Sequence, residues 1–176
     1  MSLKPGISQV RQLGHHQTTY DWGIQFIGLP QALTGFSSSD LNTRCTSANL
    51  PYMNHDEIAI DFRGWKAFQH GIGRYGDNQL QITLYETVDS KVQSFLSAWS
   101  ALEWAPETGV QVPKMENQCT FLLTLLNSLH NPVRYYTIIG AWMKQYQPSG
   151  GLQSSNSEIL SWNVTFQYDY FLTNKA

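Results

Sequence analysis

Charge is in short supply. Of 176 residues, Lys and Arg number 11 and Asp and Glu 13, so charged residues are 14% of the chain and the formal net charge is −2. About 25% is usual in a globular domain. A weakly acidic chain without clustered Lys or Arg does not suit a protein that grips nucleic-acid phosphates by counterion release. Long apolar runs are also missing: none approaches the roughly 18–20 residues of a membrane span, so no membrane anchor is expected. Lys4 and Arg11 near the start have no apolar segment behind them, unlike a secretory signal. Cys45 and Cys119 are too few for a disulfide framework. They read as buried free thiols, and their spacing leaves pairing open.

Catalytic and cofactor motifs are scarce too. No G-x-S-x-G elbow occurs. Residues 71–76 fit G-x-G-x-x-G, but they do not join a strand to a helix, so a dinucleotide site is not expected. His15 and His16 are adjacent, but no Cys, His or carboxylate follows at ligand spacing, and no metal or other cofactor is expected. Asp56, Glu57 and Asp61 are the one local carboxylate cluster, at the start of a strand where polar residues are ordinary.

What the chain does have is aromatic residues, 13% of the total (Trp 6, Tyr 9, Phe 8), within a hydrophobic share of 41%. That suffices for a sizeable core and excludes a disordered chain. The length suits one domain of about 100–200 residues. We expect an N-terminal arm over residues 1–19 and a single β-domain over 20–176.

Period-2 alternation dominates. Tyr20, Trp22, Ile24 and Phe26 predict a strand over 20–28, ended by Pro30. A Ser/Gly-rich link over 35–40 leads to a second extended stretch over 41–48. Residues 50–55 form a loop with Pro51, Tyr52 and Met53 followed by Asn54 and His55. Ile58, Ile60 and Phe62 alternate on one face of the next strand. Residues 64–78 mix glycine with Trp65, Phe68 and Tyr75, the pattern of a long protruding loop or irregular hairpin. A strand over 79–86 follows through Leu80, Ile82 and Leu84.

The period then changes. Val88, Val92, Phe95, Leu96, Trp99 and Leu102 follow helical spacing and predict one amphipathic helix over about 88–103. Thr87 or Asp89 would cap it, and Val92, Phe95, Leu96 and Trp99 would form its core face. Residues 119–129 are strongly apolar and suit either a helix or a strand buried on both faces. Residues 134–142 are β-rich, and 144–157 read as a polar loop. From Leu160 to Leu172 an apolar residue recurs at every second position, predicting one strand of about 13 residues. Its polar face is Asn163, Thr165, Gln167 and Asp169. This stripe suits a solvated sheet face or the wall of a water-filled channel, and it holds no Lys or Arg.

Four stretches, in this order, carry a family likeness. They are Cys45-Thr46-Ser47-Ala48-Asn49-Leu50-Pro51; the strand, acidic turn and helix over 79–99 ending in Phe95 and Trp99; Ile139-Gly140-Ala141-Trp142; and Ser155-Asn156-Ser157-Glu158-Ile159 followed by the alternating strand to Asp169-Tyr170-Phe171. Together, over residues 20–172, they resemble the tail-tube proteins of contractile-tailed bacteriophages. The resemblance implies a mainly β fold: two packed antiparallel sheets in a small sandwich or barrel, with one flanking helix.

It also implies a structural role without catalysis. Subunits of that family form hexameric rings, one sheet from each subunit joining a continuous β-barrel around a lumen. Four strands from each of six subunits, at about 4.8 Å spacing, give a wall at least ~37 Å across, wide enough for duplex DNA during genome ejection. Rings stack head to tail into a filament. The implied partners are other copies, the tail sheath, baseplate and tail terminator proteins, and DNA that passes without tight binding. The implied location is the virion's tail tube, after synthesis in the host bacterial cytoplasm. On this view Asn163, Thr165, Gln167 and Asp169 face the lumen. Pro51, Tyr52, Met53, Asn54, His55, Trp65, Phe68 and Tyr75 form ring-stacking loops.

The aromatic-rich segment 64–78 and the apolar run 119–129 are unusual for a main tube subunit. They leave a baseplate tube-initiator open, beside the tube of a secretion system or a bacteriocin. Two more distant readings are a monomeric β-barrel around a small apolar ligand and a glycan hydrolase using the carboxylates near Asp56.

Overall fold

The computed structural model describes residues 19, 21–74, 76–150 and 158–176. The expected arm up to residue 18, with His15 and His16, lies outside them, as do Tyr20, Tyr75 and residues 151–157. The fold is mainly β, as expected: two antiparallel sheets packed face to face, with a helix on their flank.

One sheet contains β1 (Trp22–Ile27), β6 (Cys119–Leu126), the first part of β7 (Pro132–Pro148) and β9 (Tyr170–Lys175), in the order β1-β6-β7-β9. The other contains β2 (Cys45–Ala48), β5 (Gln79–Tyr85), β8 (Ser161–Gln167) and the second part of β7, in the order β2-β5-β8-β7. We call these the outer and the polar sheet. A separate hairpin, β3 (Asn54–Phe62) with β4 (Trp65–Arg74), pairs with neither.

β7 passes from one sheet to the other at Gly140, whose φ of +71° is a left-handed conformation that favours glycine. Before it, Ile139 pairs with Tyr170; after it, Trp142 pairs with Gln167. A Cβ at 140 would collide with the Asp169 carboxylate. Asp169 itself donates its N–H to the Ile139 carbonyl (3.0 Å) and pairs with Lys114. The corner is thus built from both chain segments at once.

Two expected strands change accordingly. The run 160–172 is not one strand but β8 and β9, divided at Tyr168 and Asp169. Buried positions run Trp162, Val164, Phe166, Tyr168 and then Phe171, a slip of one residue where the chain changes sheets. The long strand is β7, with 17 residues, which continues through 144–148 where a loop was expected. Residues 119–126 form a strand, Cys119, Phe121 and Leu123 facing the core.

The stretch 41–48 is also corrected. Ser38–Arg44 is a short helix, α1, and the extended conformation starts at Cys45. Ser37 caps it by accepting from the Asp40 N–H. Asn42 accepts from the Phe26 N–H (3.2 Å), tying the helix to β1.

The main helix, α2, covers Lys91–Glu103 and buries Val92, Phe95, Leu96 and Trp99, the expected face. It fills the space between the sheets with aromatic rings. Phe95 meets Phe26 and Phe36, Trp99 meets Phe166, and Phe121 meets both Phe26 and Phe166. The interior that a ligand-binding barrel would leave open is therefore packed with side chains.

The start of α2 differs from expectation. Val88 is fully exposed, and neither Thr87 nor Asp89 caps the helix. Ser90 stands at the cap position with φ +52° and makes no side-chain cap bond. Glu86 takes over: its buried carboxylate accepts from the N–H groups of Val92 (3.2 Å) and Gln93 (2.7 Å) and from the indole N–H of Trp162 (3.1 Å). A carboxylate against the positive end of a helix, joined to β8 of the polar sheet, fixes where α2 begins. Glu86→Ala should cost about 2–4 kcal/mol, because four donors, the Thr87 N–H (3.1 Å) among them, lose their acceptor in a closed site. Urea unfolding measures this; a change under about 0.5 kcal/mol would mean that water replaces the carboxylate.

Both cysteines are free thiols. Burial pushes Cys45 up to about 12 and raises Cys119 as well, so neither is a reactive thiolate at neutral pH.

Candidate assembly and channel surfaces

Three surfaces stand apart from the core: the outward face of the polar sheet, the hairpin, and a pocket at the end of α2.

The polar sheet turns its apolar side chains inward and a concave, hydrophilic face outward. The trough holds about 610 Å³ and includes Ser47, Gln81, Thr83, Gln145, Asn163 and Thr165. Strand register arranges these side chains in cross-strand rows. Thr83 pairs with Asn163, which pairs with Gln147; Gln81 pairs with Thr165, which pairs with Gln145; Gln79 pairs with Gln167. The Ser47 hydroxyl donates to Thr83 Oγ1 (2.8 Å), and the Thr83 hydroxyl donates to Asn163 Oδ1 (3.0 Å). Gln145 donates to Gln147 (3.2 Å). Much of the polar capacity is thus used within the face itself.

Among the lining residues Lys144 carries the one charge. The sequence stripe held no cation, and β7 adds this one. Of the expected stripe, Asn163 and Thr165 line the trough. Gln167 continues their side of β8 by alternation and donates to the Asp77 carbonyl (3.3 Å). Asp169 lies past the end of β8, at the corner with Gly140 and Lys114. Gln79, Gln81 and Thr83 were legible as the alternate positions of a predicted strand; Gln145 and Gln147 were hidden in an expected loop.

Both edges of this sheet are unpaired among the described residues: β2 on one side and the second part of β7 on the other. At the β2 edge Asn49 prolongs the ladder. Its N–H donates to the Gln81 carbonyl (3.1 Å), its side-chain carbonyl accepts from the Gln81 N–H (2.6 Å), and its amide donates to the Gln79 carbonyl (3.2 Å). Open edges of this kind are templates for pairing with another chain.

The segment 64–78, expected as a protruding loop or irregular hairpin, is mostly the regular strand β4, and it makes a hairpin with β3, which begins at Asn54 inside the expected loop 50–55. Arg63 (φ +45°) and Gly64 (φ +86°) make a two-residue turn of the type that matches strand twist. Nine residues of β3 extend about 30 Å. Every residue of both strands is exposed except Gly71, which is half-buried. Ile58, Ile60, Phe62 and Trp65 share one face, and Phe68 lies on the other beside Ala59. Trp65 is 80% exposed and Ile72 75%. Two strands with this much apolar surface are marginal alone and call for a partner surface.

Met53, Asn54 and His55, all exposed, lead into this hairpin. Pro51 is buried, and Tyr52 donates its hydroxyl to Asp77 (3.3 Å) at the hairpin's base. Asp56 pairs with Arg74 (2.9 Å), while Glu57 points to the opposite strand face, so the two carboxylates do not converge as a hydrolase pair must. Among the described residues no group of His, Cys, Asp or Glu could hold a metal ion, and no helix is long and apolar enough to cross a membrane.

The pocket at the end of α2 holds about 500 Å³ and is lined by Glu103, Trp104, Lys114, Asn117 and Trp142, among others. Burial pushes the Glu103 carboxyl up to about 7, outweighing hydrogen bonds from Asn117 and the Met143 backbone.

No protein-family model and no curated protein matches the chain by sequence. Solved structures match it in fold. A chain of the anti-feeding prophage baseplate, in a sixfold-symmetrised cryo-electron microscopy structure, superposes with a TM-score of 0.62 over 92% of this chain and 97% of its own, at 14% identity. A chain of the PVC sheath–tube complex of an extracellular contractile injection system, in its extended state, gives 0.58 over 98% and 100%, at 13% identity. The SPP1 tail tube gives 0.52 over 92% and 80%, at 14% identity. The fold is thus that of the structural proteins from which tail tubes and contractile injection systems are assembled. More narrowly, the fold is tail-tube-like.

Proposed function

We propose that the protein is a structural subunit of a contractile-phage tail tube, assembling as stacked hexameric rings. The observation that carries this reading is the polar sheet: four strands, a packed core behind them, a concave amide and hydroxyl face in front, and both edges open. Pairing the β2 edge of one copy with the free β7 edge of the next satisfies both edges and continues the concave face into a channel wall. Asn163, Thr165 and Gln167 then line the lumen. Side chains bonded to one another, with one lysine per subunit, offer passing DNA few phosphate contacts, so it slides without tight binding. The hairpin supplies the contact between copies that its apolar faces require. Sheath, baseplate and terminator proteins meet the outside, and the location is the virion. The protein acts as a conduit and not as an enzyme.

A baseplate tube-initiator is the second reading, favoured by the aromatic-rich hairpin; a secretion or bacteriocin tube shares the same surfaces.

Electron microscopy of the purified protein at high concentration, alone and with its baseplate, tests the proposal. Rings or hollow tubes are expected. Monomers in both preparations would overturn it.

A further inference from the structure

The pocket at the end of α2 is chemically unfinished. Asn117 is 5% exposed, yet its side-chain carbonyl oxygen has no hydrogen-bond donor. One carboxylate oxygen of Glu103, equally shielded, has none either. Buried acceptors are nearly always satisfied, because each costs about 1–3 kcal/mol when left bare. Two in one pocket mark a place for a donor from outside. The pocket's walls define that donor. Trp104 and Trp142 present indole surface, which attracts a cation and packs against a flat one. Lys114 also lines the pocket, but its charge is matched by Asp169. The charge left to the pocket is that of Glu103, partly ionised near neutral pH until an arriving cation draws off its proton.

The chain carries a matching group. Arg63 stands at the tip of the hairpin, its guanidinium 5.7 Å from the Phe62 ring. Phe62 and Trp65 flank it, 66% and 80% exposed. Lys66 and Asp61 sit opposite each other one step back and cancel, leaving one positive charge at the tip. A guanidinium has five donors in a planar fork, which can serve a carboxylate and an amide together. With about 30 Å of strand behind it, the tip reaches well away from its own body.

We propose that this pocket receives the hairpin tip of a second copy, the Arg63 guanidinium binding Glu103 and Asn117 against the indoles of Trp104 and Trp142. The contact is heterologous: tip and pocket are different surfaces, so each subunit gives one hairpin and takes another, and the arrangement propagates. This docking rests on the tube reading for its role in a larger assembly, although the tip–pocket contact needs only two copies.

The test uses the full chain. Arg63→Glu should raise the concentration needed for assembly roughly tenfold or more, as should Glu103→Arg, while circular dichroism shows each variant folded. Combining the two exchanges the charges and should bring assembly back to within about threefold of the unaltered protein. A second measurement does not depend on these variants. Arg63→Lys puts an amine at the tip, and a carbodiimide should then join it to Glu103 of another copy, giving a cross-linked peptide in mass spectrometry. Normal tube formation by Arg63→Glu, together with no 63–103 link in tubes of Arg63→Lys, would overturn the docking and leave the tube reading intact. A 63–103 link in dimers, with no rings or tubes under any condition, would sustain the docking and end the tube reading.

Discussion

Trp99→Ala is expected to lower the free energy of unfolding by about 3–5 kcal/mol, the range for emptying a fully buried large aromatic site. Trp99 has no exposed surface. Its ring stands edge-on to Phe95 at 5.5 Å and tilted on Phe166 at 5.2 Å, so it joins α2 to the polar sheet. Such pairs add about 0.5–1.5 kcal/mol each beyond their area, and neither neighbour can move into the gap without leaving Phe121 or Phe26. The indole N–H has no acceptor. Trp99→Phe should therefore cost markedly less, because it removes a bare buried donor while keeping most of the apolar contact. Urea unfolding of the three proteins decides. An alanine variant within 1 kcal/mol of the original would mean that α2 does not seal the core.

Gly140→Ala should cost about 2–4 kcal/mol. A side chain at φ +71° costs about 1–3 kcal/mol in backbone strain. The added Cβ would also lie 2.9 Å from Cγ of Asp169, forcing that residue away from Lys114. These parts can be separated. In Gly140→Ala with Asp169→Ala the clash disappears and the strain remains, so the double variant should be less destabilised than the sum of the single changes. Simple additivity would show that the corner does not depend on the close approach of Gly140 and Asp169.

The same corner explains where reading the chain linearly went astray. Apolar residues fall at every second position from Leu160 to Leu172, yet Tyr170 and Leu172 are partly exposed and Phe171, apolar at the other parity, is buried. The chain changes sheets at Asp169, and side chains of either parity are apolar enough there to fit. The apolar run Tyr170-Phe171-Leu172 is the one sign of it near residue 169, and the cause lies in Gly140, which bends the partner strand. The polar residues of 144–148 looked like a loop for a related reason. One face of that strand is solvated, and Gln145 and Gln147 are poor strand formers whose conformation is set by pairing with Thr165 and Asn163. Helix α1 was missed because Leu41 is its one buried residue, too few for a period to show.

The helix face and the first strand of the hairpin were legible. Val92, Phe95, Leu96 and Trp99 recur at a spacing that only a helix places on one side. Ile58, Ile60 and Phe62 announce a strand whatever surrounds them, while the tight turn at Arg63 and Gly64 and the strand after it came only with the structure. For the candidate surfaces the division is sharper. One stripe of the polar face could be read along β8, but the lattice of Thr83, Asn163 and Gln147 exists only once three distant strands are in register. Glu86 as the helix cap, and Glu103 with Asn117 as a pair of bare acceptors, left no sequence signal at all.

The physical reason is one of range. Periodicity, capping residues and turn dipeptides act over a few neighbours, so the mainly β character, the lone long helix and the strand through Ile58, Ile60 and Phe62 follow from the chain itself. Strand partners, the shared β7, the corner at Gly140 and the meeting of Glu103 with Asn117 depend on contacts between residues far apart in sequence. Their energies arise only when the two sheets close on the ring of Phe26, Phe95, Trp99, Phe121 and Phe166.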